Sequence, residues 1–195
     1  MTTKLTEIKE PRVFHYTIGT YLPQIIRSGE IKLATTLVRE GEKPAAWFST
    51  NPVWEQTANK MLFDKDTGKL VNLDKEETAL WGNGLVRIEI VPEAAPYTWW
   101  NYKRLSRAKK KILRGLYEVA MKDGADPKEW RVSFEPVRAE FWLSIERWSA
   151  EKSEWERIWP GDTKENENSD LTHGLKIKGP EYIRTHSYNL TEIIP

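Results

Sequence analysis

Apolar and charged residues alternate strictly over residues 86–90, and this pattern constrains the fold more than any other feature of the sequence. The β-branched residues occupy every second position and are separated by Arg87 and Glu89, which is the two-residue period of a β-strand. The apolar residues of 99–122 recur instead at helical spacing, and Gly124 marks the end of that helix. Strands and helices in mixed order, without repeats, predict one α+β domain.

Shorter elements are predicted before this strand. A strand over 13–16 leads into a helix over 21–28, with Thr20 as its N-cap and Gly29 as its stop. A brief strand follows at 31–33, where apolar and polar residues alternate.

A second strand and helix are predicted in the next segment. The apolar run 45–49 has the length of a strand. Asn51 and Pro52 are typical of the N-cap and the first position of a helix, which would extend to residue 63. The polar segment 64–84 then predicts a long loop.

Further strands are predicted after the long helix. They cover 131–135 and 139–145 and are separated by Pro136, and an edge strand is expected around 175–178.

The chain has 195 residues, which is enough for one domain with a buried core. We expect a single domain over 1–195, with a loosely held N-terminal arm at 1–11 and an exposed polar loop at 160–170.

Composition excludes several classes of protein. The net charge of +1 excludes a uniformly basic nucleic-acid coat, and the absence of cysteine excludes disulfides, thiolate metal sites and cysteine nucleophiles. No segment approaches the roughly 20 apolar residues that cross a bilayer, so we expect a cytoplasmic protein without a membrane partner. The ten tryptophans are expected mainly to fill the core.

Known catalytic motifs are also missing from the sequence. It contains no phosphate-binding P-loop, no dinucleotide-binding glycine fingerprint and no H-E-x-x-H pair. A three-histidine metal site would use every histidine of the chain, so we predict that the protein holds no metal. The histidines are His15, His173 and His186.

Each of two predicted strands ends in three polar residues, and these clusters are the first candidate for a ligand site. They are His15-Tyr16-Thr17 and Ser49-Thr50-Asn51. Strand ends and helix N-termini present side chains and free N–H groups to a ligand, and a helix N-terminus favours anionic groups such as pyrophosphate. The alternative is structural, with His15 a buried, hydrogen-bonded histidine and Thr50-Asn51 only a cap.

In this order, these residues resemble the opening of a known fold. The stretch Phe14-His15-Tyr16-Thr17, the helix ending at Gly29, and the stretch Trp47-Phe48-Ser49-Thr50-Asn51 are similar to the first half of the ADP-ribosyltransferase fold. Among its branches the chain is most similar to the DarT-type DNA-modifying toxins, whose opening reads H-x-T before a similar helix. The run 139–143 resembles the late strand that carries the catalytic glutamate.

The resemblance implies a split antiparallel β-sandwich with flanking helices, in which NAD⁺ binds as substrate between two small sheets. The nicotinamide–ribose bond is cleaved, and ADP-ribose passes to an acceptor. Glu140 would be catalytic. His15 and Thr17 would hold the adenosine-side ribose and phosphates, and Ser49 and Thr50 would support the nicotinamide ribose. The residues expected to bind NAD⁺ are His15, Tyr16, Thr17, Ser49, Thr50, Asn51 and Trp54.

A carboxylate suits this reaction because positive charge develops on the ribose as the glycosidic bond breaks. Glu135 and Glu146 compete with Glu140 for that role. Many protein-modifying members carry Gln or Glu two residues before the catalytic glutamate, whereas Arg138 stands there in this chain.

A basic segment over 103–114 is the second chemical signal, because it contains seven basic residues and no acidic one. On a helix most of them would share a solvent face suited to phosphates. The residues predicted to bind nucleic acid are Arg107, Lys109, Lys110, Lys111 and Arg114. The alternatives are an ordinary solvated surface, or one covered by the acidic and aromatic stretch 146–159.

Three functions follow from these signals. The first is an ADP-ribosyltransferase that uses NAD⁺ and modifies a nucleic acid or a nucleic-acid-associated protein. The second is an NAD⁺-dependent RNA 2′-phosphotransferase, an enzyme with a similar fold that carries out a different reaction. The third is a non-catalytic binding module for nucleic acid or protein, in which the basic segment carries the function.

Overall fold

The computed structural model describes residues 11–36 and 38–160, together with the backbone of residues 190–194. The strands are β1 (Val13–Ile18), β2 (Glu30–Ile31), β3 (Ala46–Ser49), β4 (Met61–Asp64), β5 (Lys69–Asn72), β6 (Leu85–Ile90), β7 (Tyr97–Thr98), β8 (Trp130–Ser133), β9 (Val137–Arg138), β10 (Trp142–Ser149), β11 (Glu154–Trp159) and β12 (Leu190–Ile194). Seven of these strands form one antiparallel sheet in the order β11-β10-β6-β1-β3-β8-β7. Two smaller sheets have the orders β12-β4-β5 and β2-β9.

Helices and short 3₁₀ turns connect the strands. The helices are α1 (Leu22–Ser28), α2 (Lys75–Trp81), α3 (Trp99–Leu105) and α4 (Lys110–Asp123), and the 3₁₀ turns are Gln56–Ala58, Pro92–Ala94 and Ala139–Phe141. This arrangement confirms a mixed α+β fold with a large antiparallel sheet.

The two faces of the large sheet carry different side chains. Successive residues of β1 alternate between them, so that His15 faces one side and Tyr16 the other. Arg87 of β6 lies opposite Tyr16, and Glu146 of β10 lies opposite Arg87, so these three residues share one face. We call it the Glu146 face, and we call the other side the His15 face. The His15 face carries a core of aliphatic residues that packs against Leu22 of α1.

On the Glu146 face, α3 and α4 cover the end of the sheet formed by β3, β8 and β7. Trp99 of α3 and Ala120 of α4 pack there against Trp130 and Val132 of β8. Closer to the middle of the sheet, Trp54 packs on this face against a second group. Its members are Phe14, Tyr16 and Leu85.

The structure confirms most of the early elements. The predicted strand at 13–16, helix at 21–28 and strand at 45–49 are present as β1, α1 and β3, and 86–90 lies within β6. Gly29 ends α1 in the left-handed conformation, with a φ of 65°. The N-cap of α1 is Tyr21 rather than Thr20, whose hydroxyl instead donates a hydrogen bond to the carbonyl of Gly82.

The helix predicted over 51–63 is wrong. The side-chain oxygen of Asn51 accepts hydrogen bonds from the amides of Val53 and Trp54 and so closes a local turn. The residues from Met61 onward then pair with β5 in a hairpin. Strand pairing overrides the helical spacing of the apolar residues here, and the loop predicted over 64–84 contains β5 and α2.

The long helix predicted over 99–122 is interrupted between α3 and α4. Ser106 is buried there, and its carbonyl accepts a hydrogen bond of 2.8 Å from the amide of Lys43. Arg107 follows with a φ of 60°, in the left-handed region that a helix cannot include.

The strands after the long helix differ in their bounds from the predicted ones. The strand predicted at 131–135 is β8, and the one predicted at 139–145 begins only at Trp142, because residues 139–141 form a 3₁₀ turn. The edge strand expected at 175–178 lies outside the described residues. So do the arm at 1–11 and the loop at 160–170, apart from Pro11 and Pro160.

The tryptophans behave mainly as predicted. Trp54, Trp99, Trp130 and Trp142 are buried, and most of the others are partly buried. Trp100 of α3 is the exception, with 68% of its surface exposed.

The close approach of β1 to the turn after α2 generates a prediction about stability. A Cβ on Gly19 would lie 2.1 Å from the carbonyl oxygen of Asn83, so Gly19→Ala should reduce the free energy of unfolding by about 3 kcal/mol, the upper end for overpacked sites. Gly115→Ala is the control, because nothing lies within 4 Å of its Cβ position in α4. It should instead add about 0.5–1 kcal/mol through helix propensity, and urea unfolding measures both changes.

Candidate functional site

The first polar cluster lies in the middle of the large sheet, but β1 divides it between the two faces. His15 and Thr17 point to the His15 face, whereas Tyr16 points to the Glu146 face. A ligand on one face therefore meets either His15 and Thr17, or Tyr16.

His15 lies where the backbone pairing between β1 and β3 ends. β1 pairs with β6 along its whole length, but it pairs with β3 only through Phe14 and Ser49. Next to this pair, the His15 side chain joins β1 to β3: its Nδ1–H donates a hydrogen bond of 3.0 Å to the carbonyl oxygen of Trp47. The ring is partly buried and packs edge-on against Phe48.

The surroundings of His15 keep its imidazole neutral. Burial lowers its pKa to about 4, against the opposing effect of the Trp47 carbonyl, and the positive charge of Lys60 lowers it further. Burial also lowers the pKa of the Lys60 ammonium, which lies 5.8 Å from the centre of the Tyr21 ring. At neutral pH the imidazole is therefore a hydrogen-bond donor at Nδ1 and carries no charge.

The second polar cluster stabilises a turn. The hydroxyl of Thr50 donates to the carbonyl of Glu129 at 3.2 Å, and the side-chain amide of Asn51 donates to the Glu129 carboxylate at 3.0 Å. Ser49 is buried on the Glu146 face, and its hydroxyl oxygen accepts the amide of Asn51. These contacts support the cap interpretation for Thr50 and Asn51, although the cap closes a turn and not a helix.

Trp54 lies in an aromatic group on the Glu146 face. Its ring meets that of Tyr16 edge to face at 5.2 Å and lies nearly parallel to that of Trp155 at 6.3 Å. The phenol of Tyr16 donates to the carbonyl of Asn51. Burial raises the pKa of Tyr16 to about 12, so the phenol stays protonated.

The three candidate glutamates lie in different surroundings. Glu140 is exposed in the 3₁₀ turn before β10, and Glu135 is exposed between β8 and β9. The structure shows no hydrogen bond or ion pair between either carboxylate and a described residue. Glu146, in contrast, is only 5% exposed in the middle of β10.

Glu146 belongs to a charge-balanced group that we call the Glu146 cluster. It consists of Arg12, Arg87, Glu89, Ser144 and Glu146. Arg87 holds Oε2 of Glu146 through Nε and Nη2, both at 2.5 Å, and donates through Nη1 to the carbonyl of Pro52. Its guanidinium also lies 4.3 Å from the centre of the Phe14 ring and 4.5 Å from that of Trp155.

Arg12 covers the other side of the Glu146 cluster. Its guanidinium binds Glu89 in a bidentate pair at 2.6 and 2.7 Å and reaches Oε1 of Glu146 at 3.2 Å. This pairing holds the pKa of Glu89 below its usual range. The hydroxyl of Ser144 lies within hydrogen-bond distance of both carboxylates, but its single proton serves one of them at a time. The Arg12 side chain is 46% exposed, so the cluster meets solvent at Arg12.

The residue pattern alone did not predict the Glu146 cluster as a unit. Arg87 and Glu89 are the charged positions of an alternating strand, and this pattern predicts side chains that face solvent. The signal that could have revealed them is Ser144-Ile145-Glu146 in a later strand, where polar positions again alternate with an apolar one. Two such strands side by side place opposite charges on one face.

The basic segment forms an exposed surface at one end of the large sheet. Arg104, Arg107, Arg114 and Lys109–Lys111 are exposed, and Arg114 forms an i,i+4 ion pair with Glu118. The stretch 146–159 comprises the second half of β10, the turn that follows it and β11, which is the edge strand at the opposite end of the sheet. The alternative in which this stretch covers the basic segment is therefore wrong, since the two lie at opposite ends of the sheet and no ion pair joins them within the part of the chain that is described.

Lys103 and Trp100 complete the basic surface. The Lys103 ammonium lies 3.4 Å from the centre of the exposed Trp100 ring. The surface therefore combines an accessible aromatic face with positive charge.

Comparison with protein-family models, with curated proteins and with solved structures found no match. Among the described residues, no helix is long and apolar enough to cross a bilayer. Over the same residues, no three His, Asp or Glu side chains are grouped as metal ligands.

The neutral His15 generates a prediction about pH. The unfolded chain takes up a proton near pH 6.5, whereas folded His15 resists protonation down to about pH 4, so stability falls as the pH drops through this interval. Between pH 7.5 and pH 5 the loss from this group is about 2 kcal/mol. His15→Gln keeps a donor for the Trp47 carbonyl and should show a smaller loss. Equal losses in urea unfolding of both proteins would exclude a buried neutral His15.

Proposed function

We propose that the chain is an NAD⁺-dependent ADP-ribosyltransferase with Glu146 as its catalytic carboxylate. The observation that carries this proposal is the Glu146 cluster, where a buried carboxylate and a half-exposed guanidinium lie beside aromatic rings on one face. Cleavage of NAD⁺ needs these three kinds of group: a carboxylate for the ribose, a cation for the pyrophosphate and an aromatic surface for the planar base.

In the proposed reaction the bond between C1′ of the ribose and the nicotinamide nitrogen breaks. Nicotinamide leaves with the electron pair, and the positive charge that develops on the ribose is stabilised by the Glu146 carboxylate. A nucleophilic oxygen or nitrogen of the acceptor then bonds to C1′, and its proton passes to the carboxylate or to water.

The half-exposed Arg12 side chain lies between solvent and Glu146, so a substrate reaches Glu146 by displacing it. Its contact to Oε1 of Glu146, at 3.2 Å, is the longest of the three Arg12 contacts in the Glu146 cluster. If Arg12 turns toward the pyrophosphate, Oε1 becomes free to accept a ribose hydroxyl. Oε2 stays bound to Arg87, which keeps the carboxylate in place.

This assignment differs from the one that the family resemblance implies. Tyr16, Ser49 and Trp54 lie on the same face as Glu146 and stay in the proposed site. His15 and Thr17 point to the opposite face, so they support β1 without touching the ligand.

The basic surface supports a nucleic acid, or a protein bound to one, as the acceptor. α3 and α4 lie on the Glu146 face over β3, β8 and β7, and α4 lies against the 3₁₀ turn Gln56–Ala58, which follows Trp54. An acceptor held along the two helices therefore approaches the sheet from the side of Glu146.

The surface also supports the third function that the sequence suggests, a binding module without catalysis. Its exposed cations and the open face of Trp100 suit phosphates and bases whether or not NAD⁺ is consumed.

The first test compares two glutamates. Glu146→Gln should reduce the rate of NAD⁺ cleavage at least 100-fold, because the neutral amide cannot stabilise the ribosyl cation, whereas exposed Glu140→Gln should keep the wild-type rate. Nicotinamide release measured by chromatography gives both rates. A loss confined to Glu140→Gln would return the catalytic role to Glu140.

A stability control belongs to this test. Removing the charge of Glu146 leaves Arg87 without its partner, a change that costs about 3–5 kcal/mol in buried pairs. NAD⁺ binding by calorimetry and the thermal melting midpoint are therefore measured on the same preparations. Folded wild-type protein that neither binds nor cleaves NAD⁺ would contradict the proposal and favour the binding module.

The second test concerns the acceptor. Replacing Lys109, Lys110 and Lys111 by Glu should weaken oligonucleotide binding and reduce the slope of log affinity against log salt by about 2–3, because each phosphate contact contributes roughly 0.7–0.9. The control replaces Lys32, Lys65 and Lys69, which are equally exposed but lie elsewhere. Fluorescence anisotropy over a salt series measures both, and equal slopes would exclude the basic surface as the acceptor site.

A further inference from the structure

Arg157 is an exposed cation that lies beside the Glu146 cluster. It belongs to β11 and stands directly opposite Glu146 of β10, which places both residues on the Glu146 face. Residues directly opposite each other in antiparallel strands have Cβ atoms about 4.5–5.5 Å apart. The strand pairing itself therefore puts the Arg157 side chain next to that of Glu146.

The carboxylates near Arg157 are already bound by other donors. Arg87 holds Oε2 of Glu146, and Arg12 reaches Oε1 of the same carboxylate. Arg12 also binds both oxygens of Glu89. Arg157 itself forms no hydrogen bond or ion pair with another described residue. Its guanidinium therefore keeps its donors for a ligand.

Arg157 gives this surface an excess of positive charge. The Glu146 cluster alone contains two guanidinium groups and two carboxylates, so Arg157 adds an uncompensated cation. Hydrogen bonds from Arg12 are the main cause of the lowered pKa of Glu89, and the charge of Arg157 lowers it further. The acidic residues of β11, Glu154 and Glu156, alternate with Arg157 and so point to the other face. The exposed side of the Glu146 cluster therefore suits an anion.

Two accessible guanidinium groups lie on either side of Glu146. The Arg12 side chain is 46% exposed and is bound to Glu89 of β6, whereas Arg157 lies on β11, beyond β10. A guanidinium group binds a phosphate through two parallel N–H donors. A single phosphate is served by one such group, whereas two linked phosphates are served by both.

We propose that Arg157 binds one phosphate of the pyrophosphate group of NAD⁺ while Arg12 binds the other. This inference rests on the proposed function for its ligand. Repulsion between the phosphates and Glu146 is offset by Arg87, which pairs with that carboxylate. Arg157 is then the residue that selects a dinucleotide over a mononucleotide, because only the dinucleotide carries two linked phosphates.

The variant Arg157→Gln tests the inference, because it removes the charge and keeps a polar side chain. It should bind ADP-ribose, which carries the same pyrophosphate, at least fivefold more weakly, and its KM for NAD⁺ should change more than its kcat. Arg157→Lys keeps the charge without the paired donors and should recover only part of the affinity. The matched control is Arg138→Gln, since Arg138 is an exposed strand arginine in β9, outside the large sheet.

Calorimetry with inorganic pyrophosphate and inorganic phosphate, at constant ionic strength, measures the selection directly. The wild type should bind pyrophosphate at least tenfold more tightly than phosphate, and Arg157→Gln should lose most of this preference. Arg138→Gln removes the same net charge and should keep it. Equal weakening of pyrophosphate binding by the two variants would reduce the effect to net charge and overturn the inference.

A phosphate of a nucleic acid is the other source of this chemistry. The basic surface lies at the opposite end of the large sheet, so Arg157→Gln should keep the oligonucleotide affinity of the wild type within twofold. Fluorescence anisotropy measures this affinity. Weaker oligonucleotide binding with unchanged ADP-ribose binding would overturn the inference and assign Arg157 to the nucleic acid.

The outcomes also separate this inference from the proposed function. If the wild type cleaves NAD⁺ and Arg157→Gln matches it in KM and in ADP-ribose affinity, the inference fails and the function stands. If no protein cleaves NAD⁺ but Arg157→Gln binds ADP-ribose more weakly than Arg138→Gln does, the function fails and Arg157 remains a pyrophosphate-binding residue. Because Arg157 is exposed, its variants should melt at the temperature of the wild type. A variant that melts lower and binds ADP-ribose normally would show a purely structural arginine.

Discussion

The pairing of Arg87 with Glu146 is the interaction on which the middle of the sheet depends. It joins β6 to β10, and through the carbonyl of Pro52 it also fixes the segment that follows β3. Arg12 extends the pair to Glu89 and so connects the start of β1. Two guanidinium groups and two carboxylates balance each other, which is why charged residues can occupy a buried strand without an apolar replacement. The packing of Phe14 and Trp155 against Arg87 excludes water and strengthens the pairing further.

The buried carboxylate of Glu55 has fewer hydrogen-bond partners than that of Glu146. In the Glu146 cluster nearly every acceptor position is filled by the chain, whereas Glu55 has one filled oxygen and one without a partner among the described residues. A filled carboxylate is held rigidly, and rigid placement is what stabilisation of a developing cation requires. Of the two buried glutamates, Glu146 is therefore the one whose carboxylate is held in place for the proposed chemistry.

The sequence predicted the elements whose signals are local. Alternation over 86–90 and the glycine stop at Gly29 depend on near neighbours, and both are confirmed in β6 and α1. The helix over 51–63 failed because a hairpin partner further along the chain captures the residues from Met61. The Glu146 cluster could not be predicted for the same reason, since its members lie between Arg12 and Glu146 in the sequence and meet only after the three strands β1, β6 and β10 have paired. Glu146 itself was a candidate carboxylate, but only its neighbours distinguish it from Glu140.

The placement of the helices connects the two chemical signals of the sequence. A basic surface on the His15 face would separate any bound acceptor from Glu146 by the thickness of the sheet. α3 and α4 lie on the Glu146 face instead, and α4 lies against the 3₁₀ turn that follows Glu55. The hydrogen bond from the Lys43 amide to Ser106 places the start of α4 beside the beginning of β3, and the one from the Thr50 amide to Glu129 places the segment after α4 beside the end of β3. A nucleic acid held by Lys109–Lys111 would therefore lie on the same side of the sheet as Glu146, at the start of β3.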